Sequence, residues 1–99
     1  MRERLAFGQQ ERHGGRMTDY EIRDRMFGII RSILAREALA LSPETTARDV
    51  AGWDSLKQVK IILQVEDTFG IRFSSREIGG LRNVGDFVAL IGAKTGPAP

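Results

Sequence analysis

The residue in this sequence best placed to carry chemistry is Ser55, which lies in the segment Gly52-Trp53-Asp54-Ser55-Leu56. Aspartate is a favoured N-cap residue, so Asp54 predicts that Ser55 begins a helix. The first turn of a helix has backbone amides without intrahelical partners, and it is partly positive. A phosphate carried by Ser55 is therefore expected to be stabilised at this position.

Serine hydrolysis and metal catalysis are the enzymatic alternatives for this chain. A serine nucleophile needs a histidine base that an acid orients, and the only histidine is His13, far from Ser55 in an N-terminal stretch poor in apolar residues. There is no cysteine and no helical pair of histidines. The sequence thus predicts no catalytic residue and no metal site.

The elements that position Ser55 can be predicted from capping residues and apolar spacing. Thr18-Asp19-Tyr20-Glu21 has the form of a capping box and predicts the start of a first helix that extends to about Leu39. Ser42-Pro43 is expected to end it, and a long polar loop follows. The apolar residues predicted to face the core are Ile22, Met26, Ile29, Ile30, Ile33 and Leu34.

Three further helices are predicted after this loop. The second begins after Asp54 and ends at Gly70, a residue favoured just past a helix. Ser74 to Glu77 cap a short third helix through Ile78, and Asn83 caps a fourth from Val84 to about Ile91. The alternation at 71–73 is too short to seed a sheet. The expected fold is all-α, a small four-helix bundle with a long first loop and a short third helix.

Length and charge limit the function further. A chain of 99 residues supports one small core, which excludes a large multi-site enzyme. Residues 1–16 contain four arginines and two glutamates and account for the whole net charge of +2. We expect residues 1–16 to be a disordered extension, residues 17–92 the domain and residues 93–99 a flexible tail. The domain is neutral, which argues against a nucleic-acid partner.

The sequence lacks the features of a membrane-spanning or secreted protein. No apolar run approaches the roughly 20 residues that cross a bilayer, and the N-terminal stretch lacks the apolar segment of a secretory signal. The absence of cysteine fits a reducing compartment. We therefore expect a cytoplasmic monomer without a membrane span.

The second helix carries two apolar stripes when its residues are placed at 100° intervals. One consists of Ile61, Ile62, Val65 and Phe69. The other lies on the side of Ser55 and consists of Leu56, Val59 and Leu63. Either both stripes are buried in the bundle, or the second is a docking surface beside Ser55.

The segment around Ser55 resembles the acyl carrier protein family, whose G-x-D-S-L motif carries 4'-phosphopantetheine on its serine. The resemblance continues through Glu66-Asp67-Thr68-Phe69-Gly70-Ile71 and Val84-Gly85-Asp86 and covers about residues 18–92. It implies that a phosphopantetheinyl transferase moves the arm from coenzyme A to Ser55, beside Asp54 and Leu56. The thiol of the arm would then hold an acyl group as a thioester.

The resemblance also implies partners, namely the transferase and the enzymes that load and process acyl groups. The expected contact residues are Trp53, Lys57, Val59, Lys60, Leu63, Glu66 and Asp67. Trp53 could instead pack inside the bundle, which we favour. Family members can also shelter an acyl chain between the second and third helices, where the candidate lining residues are Val59, Leu63, Ile71 and Ile78.

The chain departs from the family at Lys57 and Lys60, where acidic residues are common. Two lysines beside Ser55 would weaken attraction to the basic partners typical of the family. They favour a specialised lipid, polyketide or aminoacyl-type pathway over a housekeeping role. The alternatives are a helical interaction module without phosphopantetheine and a basic helical protein that binds nucleic acid.

Overall fold

A computed structural model describes residues 17–95 of the chain. The helices are α1 (Asp19–Leu34), α2 (Ser55–Phe69), α3 (Ser75–Gly79) and α4 (Val84–Thr95), with one 3₁₀ turn at Ala47–Asp49. No strand occurs between residues 17 and 95, and the predicted all-α fold with a long first loop and a short third helix is confirmed. Residues 1–16, including His13, and residues 96–99 lie outside the described part.

Helix α1 begins at the predicted capping box. The Glu21 backbone N–H donates to Thr18 Oγ1 at 3.1 Å, and the Thr18 N–H donates to Glu21 Oε1 at 2.8 Å. These two bonds satisfy amides that have no partner inside the helix. The face that packs into the core recurs every four residues and consists of Ile22, Met26, Ile30 and Leu34.

The predicted end of α1 near Leu39 is wrong, because the helix stops at Leu34. Ala35 adopts a left-handed conformation with φ of 56°, and the N–H of Arg36 donates to the carbonyl of Arg31 at 2.9 Å. This arrangement satisfies carbonyls of the last turn and reverses the chain. The proline at position 43 therefore lies in the loop and does not terminate the helix.

Helix α2 begins and ends as predicted. The Asp54 carboxylate accepts the Lys57 N–H at 2.9 Å, and Gly70 follows the last turn with φ of 68°. Glycine suits this position because side chains strain a left-handed backbone. Ile61, Ile62 and Val65 are buried, so the first of the two predicted stripes is the core face of α2.

Helix α4 is longer than the sequence predicts. It continues to Thr95, so the predicted tail is wrong for residues 93–95. The Thr95 hydroxyl donates to the Ile91 carbonyl at 2.7 Å, and Lys94 Nζ lies 3.0 Å from Glu77 Oε1 on α3. These contacts stabilise the last turn of α4. The small residues of this segment had indicated a flexible tail. The Asn83 cap is confirmed, since its Oδ1 accepts the Asp86 N–H at 2.8 Å.

The long first loop is fixed to the start of α4 by main-chain hydrogen bonds. The N–H groups of Val84 and Gly85 donate to the carbonyls of Thr45 at 3.0 Å and Pro43 at 2.8 Å. A Cβ atom at position 85 would lie only 3.1 Å from the Pro43 oxygen, so glycine permits this approach. The loop thus satisfies amides that begin α4.

Helix α1 packs against both α2 and α4, and the core lies between these three helices. The fully buried side chains are Ile22, Met26, Ile30, Ile61, Val65, Val84 and Ile91. In the part of the chain that the structure describes, no helix is long and apolar enough to cross a membrane.

The Glu77 carboxylate links the start of α3 to the end of α4, and its environment makes a testable prediction. Two hydrogen-bond donors lower the pKa of Glu77 below its ordinary value. The larger effect comes from the Ser74 backbone N–H, and the smaller from the Lys94 ammonium. A lowered pKa in the folded state stabilises the protein above the pKa of the unfolded chain, and this contribution is lost as pH falls through the folded-state pKa. We expect Glu77→Gln to lower the melting temperature at neutral pH and to have a smaller effect in acid.

Thermal denaturation followed by circular dichroism over a pH series measures this difference. Glutamine can still complete the capping box, so the substitution tests the charge. The matched control is Glu37→Gln, an exposed carboxylate outside the helices. A Glu77→Gln effect of the same size at every pH would contradict the prediction.

Candidate functional site

Ser55 is the first residue of α2, and its side chain is exposed. The residue before it caps the helix, because Asp54 accepts the Lys57 N–H with its carboxylate and the Gln58 N–H with its backbone carbonyl, both at 2.9 Å. The hydroxyl of Ser55 therefore lies at the positive end of a helix of 15 residues. This geometry can hold a phosphate bonded to the serine without a histidine or a metal beside it.

The turn before α2 separates Trp53 from Ser55. Gly52 has φ of 90°, a conformation that suits glycine, and the chain then directs the indole inward. Trp53 is 8% exposed, and its Nε1–H donates to Gln58 Oε1 at 2.7 Å. Packing was the favoured role for Trp53, and the structure agrees with it. Its assignment as a partner-contact residue is corrected, since most of the ring is buried.

The second apolar stripe of α2 lies on the surface. Leu56 is 60% exposed, Val59 51% and Leu63 57%, and only Tyr20 among the other large hydrophobic residues from 17 to 95 is similarly exposed. Burial of both stripes is thereby excluded, because the bundle covers α2 on one side only. An exposed apolar stripe beside a reactive residue is typical of a surface that contacts another molecule.

The charged residues that flank this stripe are not equivalent. Lys60 and Asp67 are exposed, and Lys57 is half-buried. The Glu66 side chain is only 10% exposed, since its Oε2 accepts the Phe73 N–H at 2.9 Å and Arg72 Nη1 lies 3.6 Å from its Oε1. Glu66 thus holds the chain after α2, and its role in partner contact stays a prediction.

A groove of about 810 Å³ runs along α2 beside Ser55. Val59, Leu63 and Ile78 line it as predicted, whereas Ile71 does not. The Ile71 N–H donates to the Glu66 carbonyl at 3.1 Å, so the chain after Gly70 turns back over the last turn of α2. The other lining residues are Ala47, Trp53, Asp54, Ser55, Gln58, Ile62 and Glu66.

Sequence reasoning missed Ala47 and Gln58 in this groove. Gln58 could have been found, because a buried tryptophan needs an acceptor for its N–H and Gln58 follows Trp53 by five residues, on the first turn of the predicted helix. Ala47 carries no such signal, since only the path of the long loop brings it to α2.

The residues around Ser55 fit a phosphopantetheine group. The exposed hydroxyl gives a covalent attachment point, the start of α2 suits the phosphate, and the adjoining groove is mainly apolar. Across residues 17–95 no cluster of three or more histidine, aspartate or glutamate side chains could hold a metal ion.

Comparison with known proteins gives a family match over most of these residues. The family model described as a phosphopantetheine attachment site matches residues 24–91. The meromycolate extension acyl carrier protein of Mycobacterium tuberculosis is 36% identical over 75 residues, which are 76% of this chain and 65% of that protein. The acyl carrier protein of Rhodococcus erythropolis is 32% identical and is matched over 81% of its length.

A solved structure shares the fold. The solution structure of the holo acyl carrier protein from Geobacter metallireducens superposes with a TM-score of 0.70 at 33% identity, covering 74% of this chain and 84% of that one. The chain spans about two thirds of the length of the mycobacterial relative, at 65%.

The Asp54 cap yields a prediction about stability. Replacing an aspartate N-cap by alanine costs about 0.5–2 kcal/mol, so Asp54→Ala should lower the free energy of unfolding by this amount. Asparagine caps a helix about as well as aspartate, so Asp54→Asn is the matched control. Urea denaturation measures both variants. Equal stability of the alanine and asparagine variants would show that the cap does not hold the start of α2.

Proposed function

Since this chain belongs to the acyl carrier protein family, we propose that Ser55 carries a 4'-phosphopantetheine arm and that the protein delivers acyl groups to partner enzymes. The observation that carries the proposal is the exposed Ser55 hydroxyl at the capped start of α2, within the segment Asp54-Ser55-Leu56. The terminal thiol of the arm supplies the thioester chemistry, which agrees with a chain that has no cysteine.

The division of labour follows from what this chain supplies. Asp54 caps the start of α2, and the positive N-terminal end of this helix stabilises the phosphate that joins the arm to Ser55. A separate phosphopantetheinyl transferase provides the catalytic groups for attachment, and the carrier is not itself an enzyme. Tethering then raises the effective concentration of the acyl group at each enzyme that the carrier meets.

The partner surface that we propose consists of the exposed stripe of Leu56, Val59 and Leu63 with the neighbouring charges of Lys57, Lys60 and Asp67. Apolar side chains supply the buried area of such a contact, and the charges select the partner. The enzymes that load and process acyl groups are expected to dock here. We propose that the protein acts in the cytoplasm as a monomer, and both points stay predictions.

The acyl groups are proposed to belong to a specialised pathway. The two lysines distinguish α2 from the acidic pattern of the family, and one relative is named for meromycolate extension. A lipid pathway is therefore supported most directly among the lipid, polyketide and aminoacyl classes. The groove beside Ser55 is consistent with an acyl chain that lies along α2.

Attachment to Ser55 is tested by intact-mass measurement. Incubation with coenzyme A, magnesium and a broad-specificity phosphopantetheinyl transferase should add the mass of one phosphopantetheine to the wild-type protein and none to Ser55→Ala. Ser75→Ala is the matched control, because Ser75 is also an exposed serine that begins a helix. This control should be modified like the wild type.

Two results would contradict the attachment site. One is a mass increase that survives in Ser55→Ala. The other is no increase in the wild type with several transferases, which would favour a helical interaction module without the arm.

The role of Lys57 and Lys60 in partner choice is tested by charge reversal. Because both lysines lie within five residues of Ser55, an enzyme that reaches the arm meets their field. The change Lys57→Glu with Lys60→Glu should raise kcat/KM for enzymes that act on acidic carriers by about two- to five-fold per charge, with little change in melting temperature. The gain should shrink at high salt, since screening acts over about 8 Å at physiological ionic strength.

The matched control is Arg25→Glu on α1, an exposed charge reversal away from Ser55. Transfer kinetics with the same enzymes measure all three proteins. Equal kcat/KM values for the double variant and the wild type would show that the two lysines do not contribute to partner selection.

A further inference from the structure

A side-chain hydrogen bond spans Ser55 and ties the turn before α2 to the helix itself. Trp53 precedes Ser55 by two residues, and Gln58 follows it by three. The Trp53 Nε1–H donates to Gln58 Oε1 at 2.7 Å, and the bond is partly buried. Because Ser55 lies between the two residues in the chain, this bond closes a small ring of backbone and side chains that contains the serine.

The Trp53 end of this bond is fixed in the core. Trp53 is 8% exposed and packs in the hydrophobic core together with Val50. The Trp53 N–H also donates to the Val50 carbonyl at 3.2 Å. A ring packed in the core moves little, since protein interiors are close-packed. The indole therefore gives the Gln58 side chain a rigid partner.

The turn itself lies at the surface. Ala51, Gly52 and Ser55 are exposed, and Gly52 has φ of 90°. The Asp54 cap holds amides of the first turn of α2. Among the hydrogen bonds given by residues 17–95, the indole bond is the one link from residues 50–53 to α2. The angle at which the chain enters the helix at Ser55 therefore depends on this bond.

Attachment of the arm, the reaction of the proposed function on which this inference rests, depends on the direction of one oxygen atom. Ser55 Oγ forms a bond to the phosphorus that carries pantetheine in coenzyme A. The pyrophosphate bond breaks, and adenosine 3',5'-bisphosphate leaves with the electron pair. The hydroxyl proton goes to a base of the transferase. A serine held in one direction reacts faster than one that samples several, since positioning lowers the barrier.

We propose that Gln58 is a positioning residue for the modification of Ser55. It acts through Trp53 and takes no part in the bond changes. With the indole bond in place, a docked transferase meets the serine in one orientation. The exposed stripe of Leu56, Val59 and Leu63 makes no contribution to the bond. Its loss should therefore slow transfer within the complex and leave docking unchanged.

Single-turnover transfer to the full-length protein tests this role. Excess broad-specificity phosphopantetheinyl transferase, coenzyme A and magnesium are mixed with the carrier, and intact mass follows the product. Varying the transferase concentration separates the saturated rate from the concentration that gives half of it. In Gln58→Leu the saturated rate should fall by about three- to ten-fold, as expected for the loss of one hydrogen bond, and the half-saturation concentration should change by less than about two-fold.

Three further variants test the bond itself. Trp53→Phe removes the donor and should slow transfer to a similar extent. In the double variant the two losses should not add, because both changes remove the same bond. Gln58→Glu keeps an acceptor for the indole N–H and should retain most of the wild-type rate. Should Gln58→Leu fail to fold, Gln58→Ala has the same expected loss.

Two controls separate positioning from stability. Gln64→Leu is the same substitution at a glutamine of α2 whose Nε2 donates to Thr68 Oγ1 at 3.0 Å. Ile91→Val removes one carbon from a fully buried side chain of α4, so it lowers stability from another helix. Both controls should keep the wild-type saturated rate.

The outcomes distinguish this inference from the proposed function. Several results would overturn the positioning role and leave the carrier function intact. They are an unchanged saturated rate in Gln58→Leu, a change confined to the half-saturation concentration, additive losses in the double variant, or an equal loss in Ile91→Val. The absence of any mass increase on the wild-type protein would instead contradict the proposed function.

Discussion

The hydrogen bonds that Asp54 accepts from Lys57 and Gln58 are the interactions on which the rest of the site depends. They fix where α2 begins and therefore place Ser55 at the exposed, positive end of the helix. The same turn directs Trp53 into the bundle, so the two neighbours of Asp54 face opposite environments. A helix that began one residue later would leave Ser55 outside its first turn.

The long loop before this turn is irregular, but several of its backbone carbonyl groups accept hydrogen bonds. Arg31 Nε donates to the Leu39 carbonyl at 2.9 Å, and Arg36 Nη1 donates to the Ala51 carbonyl at 3.2 Å. At the other side, the Pro43 and Thr45 carbonyls accept the first amides of α4. Loop backbone without a regular ladder needs such partners, and here arginines and a helix start supply them. The loop can therefore carry Ala47 to the groove and Trp53 to the core.

The surface of α2 combines features that the proposed carrier function uses at different steps. The exposed leucines and Val59 form the proposed partner surface, whereas Ile61 and Val65 on the opposite side attach the helix to α1 and the core. One helix thus presents the serine, the exposed apolar stripe and one wall of the groove.

The sequence by itself determined the features that depend on neighbouring residues. Helix caps act through hydrogen bonds or dihedral angles within a few residues, so they could be predicted from the local sequence. They are the capping boxes at Thr18 and Ser74, the Asp54 and Asn83 caps and the glycine after Phe69. The spacing of Ile22, Met26 and Ile30 determined the core face of α1 for the same reason.

Only the tertiary structure decided the features that depend on distant contacts. The last turn of α4 forms where Lys94 meets Glu77 of α3. Which apolar stripe of α2 is buried depends on where α1 and α4 pack, and the burial of Glu66 depends on the amide of Phe73. Contacts between residues far apart in the chain have no periodic signature, which is why these features had to be observed in the folded molecule.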